Sequence, residues 1–443
     1  MGRACSDYGM SGGSDKTPAI VERLEAFMNS VNAIGQGRSG GWTRLAFSLE
    51  EREAHSVFKA AAEKIGLVVW TDPIGNTYAD VPVRKDGIPR VVIGSHLDTV
   101  PRGGAYDGVA GVAAALEVAR LAVEAQDSDD IPLRVVAFAA EEGARFGASC
   151  IGSRLAARKI EGPELQRLRD AHGISAWQAA EAVGLRPDAS EGVRWDPKDV
   201  SAFVELHVEQ GRVLESRGRM FGLADSVAGS TRLEIIFDGR SDHSGATPMR
   251  LRKDALTAAS EFVLQVERCA RQRATSVATV GRLEVEPGSL TTVPGRVRLV
   301  VDVRDIDSAR QRTLASSLLE EARRIGAGRA VKVSARLLAD QSPVLLHRVI
   351  REQVAAAITS EGLSFCVVRS GANHDAAQIA SVVPTALVFI PSRDGISHSP
   401  KEFSDVRQIA RGVQVLFRGL QLQDVTHKAR LPIASSREQI AGS

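Results

Sequence analysis

The stretch GSHLDTVPRGGAYDGVAGVAAALEVAR, residues 94–120, puts His96, Asp98 and Asp107 between an apolar strand-like run and a helix-like run. All three side chains can hold a metal ion, and the loop that carries them is rich in Gly. Related groups follow other apolar runs. Glu141 and Glu142 follow LRVVAFAA. His207, Glu209 and Gln210 follow SAFVEL, and His398 follows TALVFIPSRDGIS. In open α/β sheets, ligands bind in the crevice outside the carboxyl ends of the strands. Singly, each residue has an ordinary explanation: Asp107 as a helix N-cap, the histidines as hydrogen-bonded loop residues, the Glu pair as a solvated turn. Imidazoles and carboxylates at four strand ends together read as a metal site.

Three histidines with carboxylates suit Zn(II), Mn(II), Co(II) or Ni(II) better than Ca(II) or Mg(II). Five ligands are too many for one open catalytic ion, but they suit two ions that share a bridging carboxylate. Asp107 is the natural bridge. Glu141 and Glu142 are neighbours in extended chain, so their side chains point different ways. One can bind metal while the other acts on water as general base. Asp98, two residues past His96, is placed to hold the far nitrogen of that ring.

The elements that must position these groups can be read from the pattern. Residues 17–38 and 48–65 carry apolar positions at helical period. LVVWTDPIGNTYADVPV reads as a hairpin with PIGN as its turn. From residue 90 the order is strand, helix, strand (RVVIGSHLD, GVAGVAAALEVARLAVEA, LRVVAFAAEE), with continuous apolar strands of the kind buried on both faces of a parallel sheet. Residues 155–200 are charged and helical, an insertion over that sheet. The texture changes near residue 222. FGLADSVAGSTRLEIIFDGR, DALTAASEFVLQVERCARQ, TSVATVGRLEVE, GRVRLVVDVRDID, SARQRTLASSLLEEARRIGA and AVKVSARLL then give the βαββαβ order of a ferredoxin-like sandwich. After about residue 336 the first style returns, with helix 344–361, strand 364–369, strand TALVFIPS and helix 403–420. The expected organisation is a flexible leader over 1–16, an α/β catalytic domain with a mostly parallel sheet over 17–221 and 336–443, and a smaller α+β dimerisation or lid domain over 222–335.

Composition limits the partners. The 443 residues are 44% hydrophobic and 25% charged, with a formal net charge of +2. No Lys/Arg block points to nucleic acid or to an anionic membrane surface. No apolar run approaches the roughly 18 residues of a membrane span. Cys5, Cys150, Cys269 and Cys366 are far apart and read as free thiols in a reducing compartment. The expected location is the cytoplasm. The leader has no secretory core, and Met10 is as acceptable a start as Met1. His55, His172, His347 and His427 stand in polar helical stretches and read as surface residues.

HLDTV followed by YDGVAGV, AEEGARFG, ELHVEQG and GISHSP resembles the metal-binding motifs of the M20 family of dinuclear metallohydrolases. SDHSGATPMRLRKDAL, VPG, DVRDID and SGANHDA extend the similarity over nearly the whole chain after the leader. His207 within ELHVEQG resembles the branch of N-carbamoyl-L-amino acid hydrolases, β-ureidopropionases and allantoate amidohydrolases, where peptidase members carry a carboxylate. The resemblance implies two divalent ions per subunit, zinc or else manganese, cobalt or nickel. One would be held by His96, Asp107 and His207, the other by Asp107, Glu142 and His398. It implies Glu141 as general base. It implies His243 as the group that reaches a dimer partner's site and stabilises the oxyanion. Arg304 would pair with a substrate carboxylate, with Gln210 and His374 as nearby substrate contacts. The lid would close about linkers near residues 221 and 335.

Two departures bear on substrate. Thr291 in SLTTVPG stands where the branch typically has Asn, and a hydroxyl offers one donor, not two. SDHSG replaces an Ala-Asn-His-Ala-Gly-like run, with His243 kept. The reading is a homodimeric amidohydrolase acting on a carbamoyl or ureido carboxylate. Allantoate, or an N-acyl or N-formyl amide, is the alternative substrate. A non-catalytic scaffold is disfavoured because both glutamates and all five ligand positions are present.

Overall fold

The computed structural model describes residues 17–84, 87–125 and 131–421. The leader with Cys5, both candidate start methionines, and His427 lie outside them. Helices α1 (Thr17–Asn32) and α2 (Leu49–Ile65) come first. Ile20, Leu24, Met28 and Val31 recur every three or four residues and bury one face of α1. Ser48 Oγ accepts the N–H of Glu51 at the start of α2, and Gly66, at φ 89°, ends it. Strands β1 (Val68–Thr71) and β2 (Thr77–Asp80) form the expected hairpin. β3 (Arg90–His96), α3 (Val109–Glu124) and β4 (Leu133–Phe138) form a parallel βαβ unit. α4 (Ile151–Ala156) comes next, and the segment expected as an insertion, residues 155–200, then holds α5 (Ala176–Ala182) and two 3-10 turns. β5 (Val200–Val208), α6 (Val213–Arg217) and β6 (Phe221–Val227) follow.

A second sheet is built from β7 (Gly229–Asp238), the short β8 (Asp242–His243), α7 (Ala255–Arg271), β9 (Val277–Glu286), the short β10 (Thr292–Val293), β11 (Arg296–Asp305), α8 (Ser308–Gly328) and β12 (Lys332–Gln341). β8 and β10 pair separately with each other. The other four strands run in the order β12-β7-β11-β9, all antiparallel. With the two helices this is the βαββαβ arrangement expected. Leu233, Ile235 and Phe237 of β7 and Val297, Leu299, Val301 and Val303 of β11 pack with α7 and α8. The alternate residues, including Arg232 and Arg304, stand on the opposite, polar face.

The chain ends with β13 (Val344–Leu345), α9 (Arg348–Ser360), β14 (Phe365–Ser370), α10 (Asp375–Ile379), β15 (Thr385–Ile390) and α11 (Val406–Gln421). The large sheet has the order β1-β2-β4-β3-β5-β15-β6-β13, with β14 against β6. β4, β3, β5 and β15 are a central parallel block. The pairings of β1, β2 and β13, and that of β15 with β6, are antiparallel, so the sheet is mixed. In β3, Val91 and Ile93 pack on the core with α1, α2, α3 and α11, while Val92 packs on the core with α4, α5 and α10. Burial on both faces is why these strands read as unbroken apolar runs.

The passage between sheets differs from the expected boundaries. Phe221–Val227 pairs with β15 and β14 in the large sheet, so the crossing comes at Ala228 and not at residue 221. The return comes after Gln341 and not at 335, because β12 pairs with β7 as far as Gln341↔Ser230. β6 is apolar and strand-like in either sheet, and β12 runs on past the last residue of the apolar pattern, so composition does not place the crossings. His55 also departs from expectation. It is buried on α2, with Nδ1 2.9 Å from Thr77 Oγ1, and burial holds it well below the usual histidine range. His172 is exposed, and His347 is half-buried.

Candidate metal centre and its cavity

The four adjacent parallel strands β4, β3, β5 and β15 deliver the chemistry at their carboxyl ends. His96 closes β3 and His207 lies at the penultimate position of β5. Glu141 and Glu142 follow β4, and His398 lies in the loop after β15. Close backbone approach makes room for them. Gly108, at φ 68°, begins α3, and a Cβ there would lie 2.6 Å from the His96 ring. A Cβ at Gly111 would lie 2.2 Å from the Leu206 carbonyl. Asp107 is not the N-cap of α3. Its side chain turns to the histidines, and Gly108 holds the cap position without a side-chain bond. Ala140, Cys150, Gln210 and His398 all adopt left-handed backbone, so strain gathers around the site.

Asp107 is the hub. Oδ1 lies 3.0 Å from His207 Nε2 and 3.5 Å from His96 Nε2. Oδ2 lies 3.2 Å from His398 Nε2, which is also 3.2 Å from Glu142 Oε1. His96, Asp107 and His207 form one group of converging ligand atoms, and Asp107, Glu142 and His398 form another. All but His398 are buried. His398 is 48% exposed and opens the site to a cavity. A third grouping, Glu205 with His207 and His374, is already satisfied: Glu205 accepts the Ser95 hydroxyl and the Ala376 N–H, each at 2.8 Å.

The donor set fits a divalent cation. His207 Nδ1 lies 2.8 Å from the Val208 carbonyl, and His96 Nδ1 lies 3.1 Å from that of Asp98. A carbonyl only accepts, so each Nδ1 carries the proton and each Nε2 turns a lone pair toward Asp107. Asp107 Oδ1 is buried without a hydrogen-bond donor. Lone pairs opposed at these distances call for a cation between them. The electrostatics show the same demand for positive charge at this point. Burial works against a charged His96, yet Asp107, Asp98 and Glu141 hold it well above its usual range. His398 is pushed up to about 11 by Asp107 and Glu142. Burial, then neighbouring Glu142, holds Glu141 well above the carboxylate range.

Around this centre lies a cavity of about 360 Å³. The carboxyl ends of the large sheet's central strands, with the loops that follow them, line it with His96, Asp107, Glu141, Glu142, His207 and His398. The polar face of the small sheet adds Arg232 and Arg304, and α4 adds Arg154. Arg304 is held by Asp302 (3.1 and 2.8 Å) and by the Gly371 carbonyl. Gln210 lines the cavity and donates to Asp107 Oδ2 at 2.8 Å.

Three expected site residues stand elsewhere. His374 does not line the cavity. It packs edge-on against His207, ring centroids 4.6 Å apart, with Nε2 3.0 Å from Ser370 Oγ, and its neighbour Asn373 takes the lining position. His243 and Thr291 are exposed on the small sheet's side and line no part of this cavity. The Ser244 N–H donates to the Thr291 carbonyl at 2.9 Å, and Thr292 pairs with His243. The carboxylate of Asp98 accepts the N–H groups of Glu141 and Glu142, while its carbonyl faces His96.

Other residues here carried no signal in the sequence. Glu402 is buried, and its Oε1 accepts the N–H groups of Tyr106 (2.8 Å) and Asp107 (2.9 Å). Cys150 Sγ stands 3.0 Å from Glu141 Oε1. In the sequence, Glu402 belongs to none of the motifs, and Cys150 reads only as one of four free thiols.

Peptidase family M20/M25/M40 matches residues 92–421 of the chain. The chain belongs to that family. It is a hydrolase of a metal-dependent family, and its clustered His, Asp and Glu side chains are of the kind that hold metal. The N-carbamoyl-L-amino acid amidohydrolase of Geobacillus stearothermophilus is 38% identical over 89% of this chain and 97% of its own length. The allantoate amidohydrolase of Escherichia coli K12 is 34% identical over 89% and 96%. Among solved structures, an amidase of the hydantoinase/carbamoylase family from Burkholderia multivorans aligns with a TM-score of 0.82 at 31% identity, covering 90% of this chain and 97% of that one. No helix among the described residues is long and apolar enough to cross a membrane.

Proposed function

We propose that this protein hydrolyses the carbamoyl C–N bond of N-carbamoyl-L-amino acids or a related ureido acid, releasing ammonia, carbon dioxide and the amino compound. The observation that carries this reading is Asp107, whose two oxygens face His207 and His398 from opposite flanks beside Glu142. Two divalent ions, zinc or else manganese, cobalt or nickel, would be held by His96, Asp107 and His207, and by Asp107, Glu142 and His398. When bound, they would supply Lewis acidity at the carbonyl oxygen and lower the pKa of the attacking water.

Glu141 takes the proton from that water and gives it to the leaving nitrogen. Cys150 holds its Oε1, which leaves Oε2 on the His96 side. Asp98 positions both glutamates through their backbone. Arg304 pairs with the substrate carboxylate through its planar fork. Gln210 and Asn373 border the bound substrate. His243 Nδ1 accepts the N–H groups of Gly245 (3.1 Å) and Ala246 (3.2 Å), so Nε2 carries the proton. Because His243 lies outside its own chain's cavity, it serves the site of a partner subunit in a homodimer, donating to the carbonyl oxygen. The segment 229–341 supplies that contact and closes over the cavity as a lid. Three free thiols among the described residues support a reducing, cytoplasmic setting.

The test is ammonia release by apo protein reloaded with Zn, Mn, Co or Ni. The substrate panel holds N-carbamoyl-L-amino acids, N-carbamoyl-β-alanine and allantoate. N-formyl and N-acetyl compounds are followed by amine release, with Glu141→Gln as control. Metal-dependent ammonia from one carbamoyl class, lost in the variant, is the expected result. Amine release from acyl or formyl compounds alone would overturn the carbamoyl assignment.

A further inference from the structure

The cavity has cations on two walls. On the small sheet, Arg232 and Arg304 share Asp302, at 3.6 and 2.8 Å, so one carboxylate already offsets one of two charges. The α4 wall differs. Arg154 lines the cavity, half-buried, and makes no ion pair and no side-chain hydrogen bond among the described residues. Close to it, Lys159 Nζ donates to the Ala377 carbonyl (3.1 Å) and to Gln378 Oε1 (3.2 Å), both neutral acceptors. Gln378 Nε2 donates to Asn373 Oδ1 at 3.1 Å, and Asn373 Nδ2 to Ser149 Oγ at 2.9 Å. Ser149 and Asn373 line the cavity beside Arg154.

Neither cation has an anionic partner among the described residues. Burial first, and then the charge of Arg154, holds Lys159 below its ordinary range. Such a pair is relieved by an arriving anion. A guanidinium with no partner is also free to take a carboxylate in its two-pronged geometry. Glu141 and Glu142 do not meet this need, because the proposed chemistry occupies them.

We propose that Arg154, backed by Lys159, binds a second carboxylate of the substrate, so that the enzyme prefers ureido acids with an acidic side chain over those with a neutral one. This rests on the amidohydrolase reading above.

Two measurements on the metal-loaded protein test it. One is the ratio of kcat/KM for N-carbamoyl-L-glutamate to that for the isosteric N-carbamoyl-L-glutamine. The other needs no turnover and compares calorimetric binding of glutarate and its half-amide, glutaramate. In each, the acidic member should be favoured by about tenfold or more, the scale of one charge-assisted pair. That preference should collapse toward one in Arg154→Met and persist in part in Arg154→Lys. Equal treatment of acid and amide by the wild type, or a preference that survives Arg154→Met, overturns the proposal. An Arg154-dependent preference for glutarate with no carbamoyl hydrolysis supports the anion site and removes the carbamoyl reading. Carbamoyl hydrolysis with no acidic preference does the reverse.

Discussion

The carboxylate of Asp98 accepts the backbone N–H of Glu142 at 2.9 Å, and its other oxygen accepts that of Glu141 at 3.1 Å. One fully buried side chain from the turn after β3 thereby fixes the chain after β4 that carries both glutamates. Asp98→Ala should lower kcat or metal affinity by roughly 10–100-fold, as loss of a group that orients ligands does. Kinetics with metal titration check this. Unchanged values in both would remove the positioning role.

Glu141→Gln and Glu142→Gln should separate by their metal content. With Glu141 as the base, its variant keeps both ions and loses roughly 10²–10⁴ in kcat. The Glu142 variant loses metal, because its carboxylate faces His398 at 3.2 Å. Elemental analysis beside the kinetics decides the assignment. Metal loss from the Glu141 variant would exchange the two roles.

Chelation should abolish activity and lower the melting temperature, since an ion that binds only the folded state stabilises it by mass action. Readdition of Zn, Mn, Co or Ni should restore both. Calorimetric scans of the apo and reloaded protein measure the shift, and an identical melting temperature in the two forms would argue against ions at this centre.

Glu51 gives a pH prediction outside the His, Asp and Glu cluster. Its two oxygens accept the Phe47 and Ala140 N–H groups, each at 2.7 Å. Burial, and then Asp98, push it from an ordinary 4.5 to about 8. Below about pH 4.5 it is protonated in both folded and unfolded chains. Between 4.5 and 8 the unfolded chain is ionised and the folded one is not, so this group makes stability fall as pH rises. The stability of wild type minus that of Glu51→Gln should therefore decline from pH 5 to 8, by at most about 1.4 kcal/mol per unit. Denaturant titrations across that range measure it, and a flat difference would contradict the raised value.

His243→Ala should depress kcat although His243 lines no part of its own chain's cavity. If it serves the partner's site, mixing His243→Ala subunits with Glu141→Gln subunits should restore activity, because one hybrid site is intact. No recovery in a verified mixed dimer would place its role within one chain.

The strand ends that carry the clustered His, Asp and Glu side chains were legible in the sequence because strands buried on both faces must be unbroken apolar runs. Singly, a polar residue where such a run stops has an ordinary explanation, but imidazoles and carboxylates at four strand ends together do not. The βαββαβ segment was legible from its change to alternating strands. The crossing at Ala228 was not, because β6 is apolar and strand-like whichever sheet it joins. Nor was the burial of His55, since residue type alone does not tell a solvated histidine from one packed beside Thr77.

By itself, then, the sequence determined the element order, the family, and the residues able to hold metal, because these depend on local pattern and on motifs short in the chain. Tertiary structure alone decided which groups meet. Glu402 reaches the backbone of Asp107 across 295 positions, Asp98 spans 43 and 44 to the two glutamates, and Asn373 instead of His374 faces the cavity. It also left Arg154 on the cavity wall with no ion pair among the described residues. Such pairings are fixed when the sheets pack, and no local spacing encodes them.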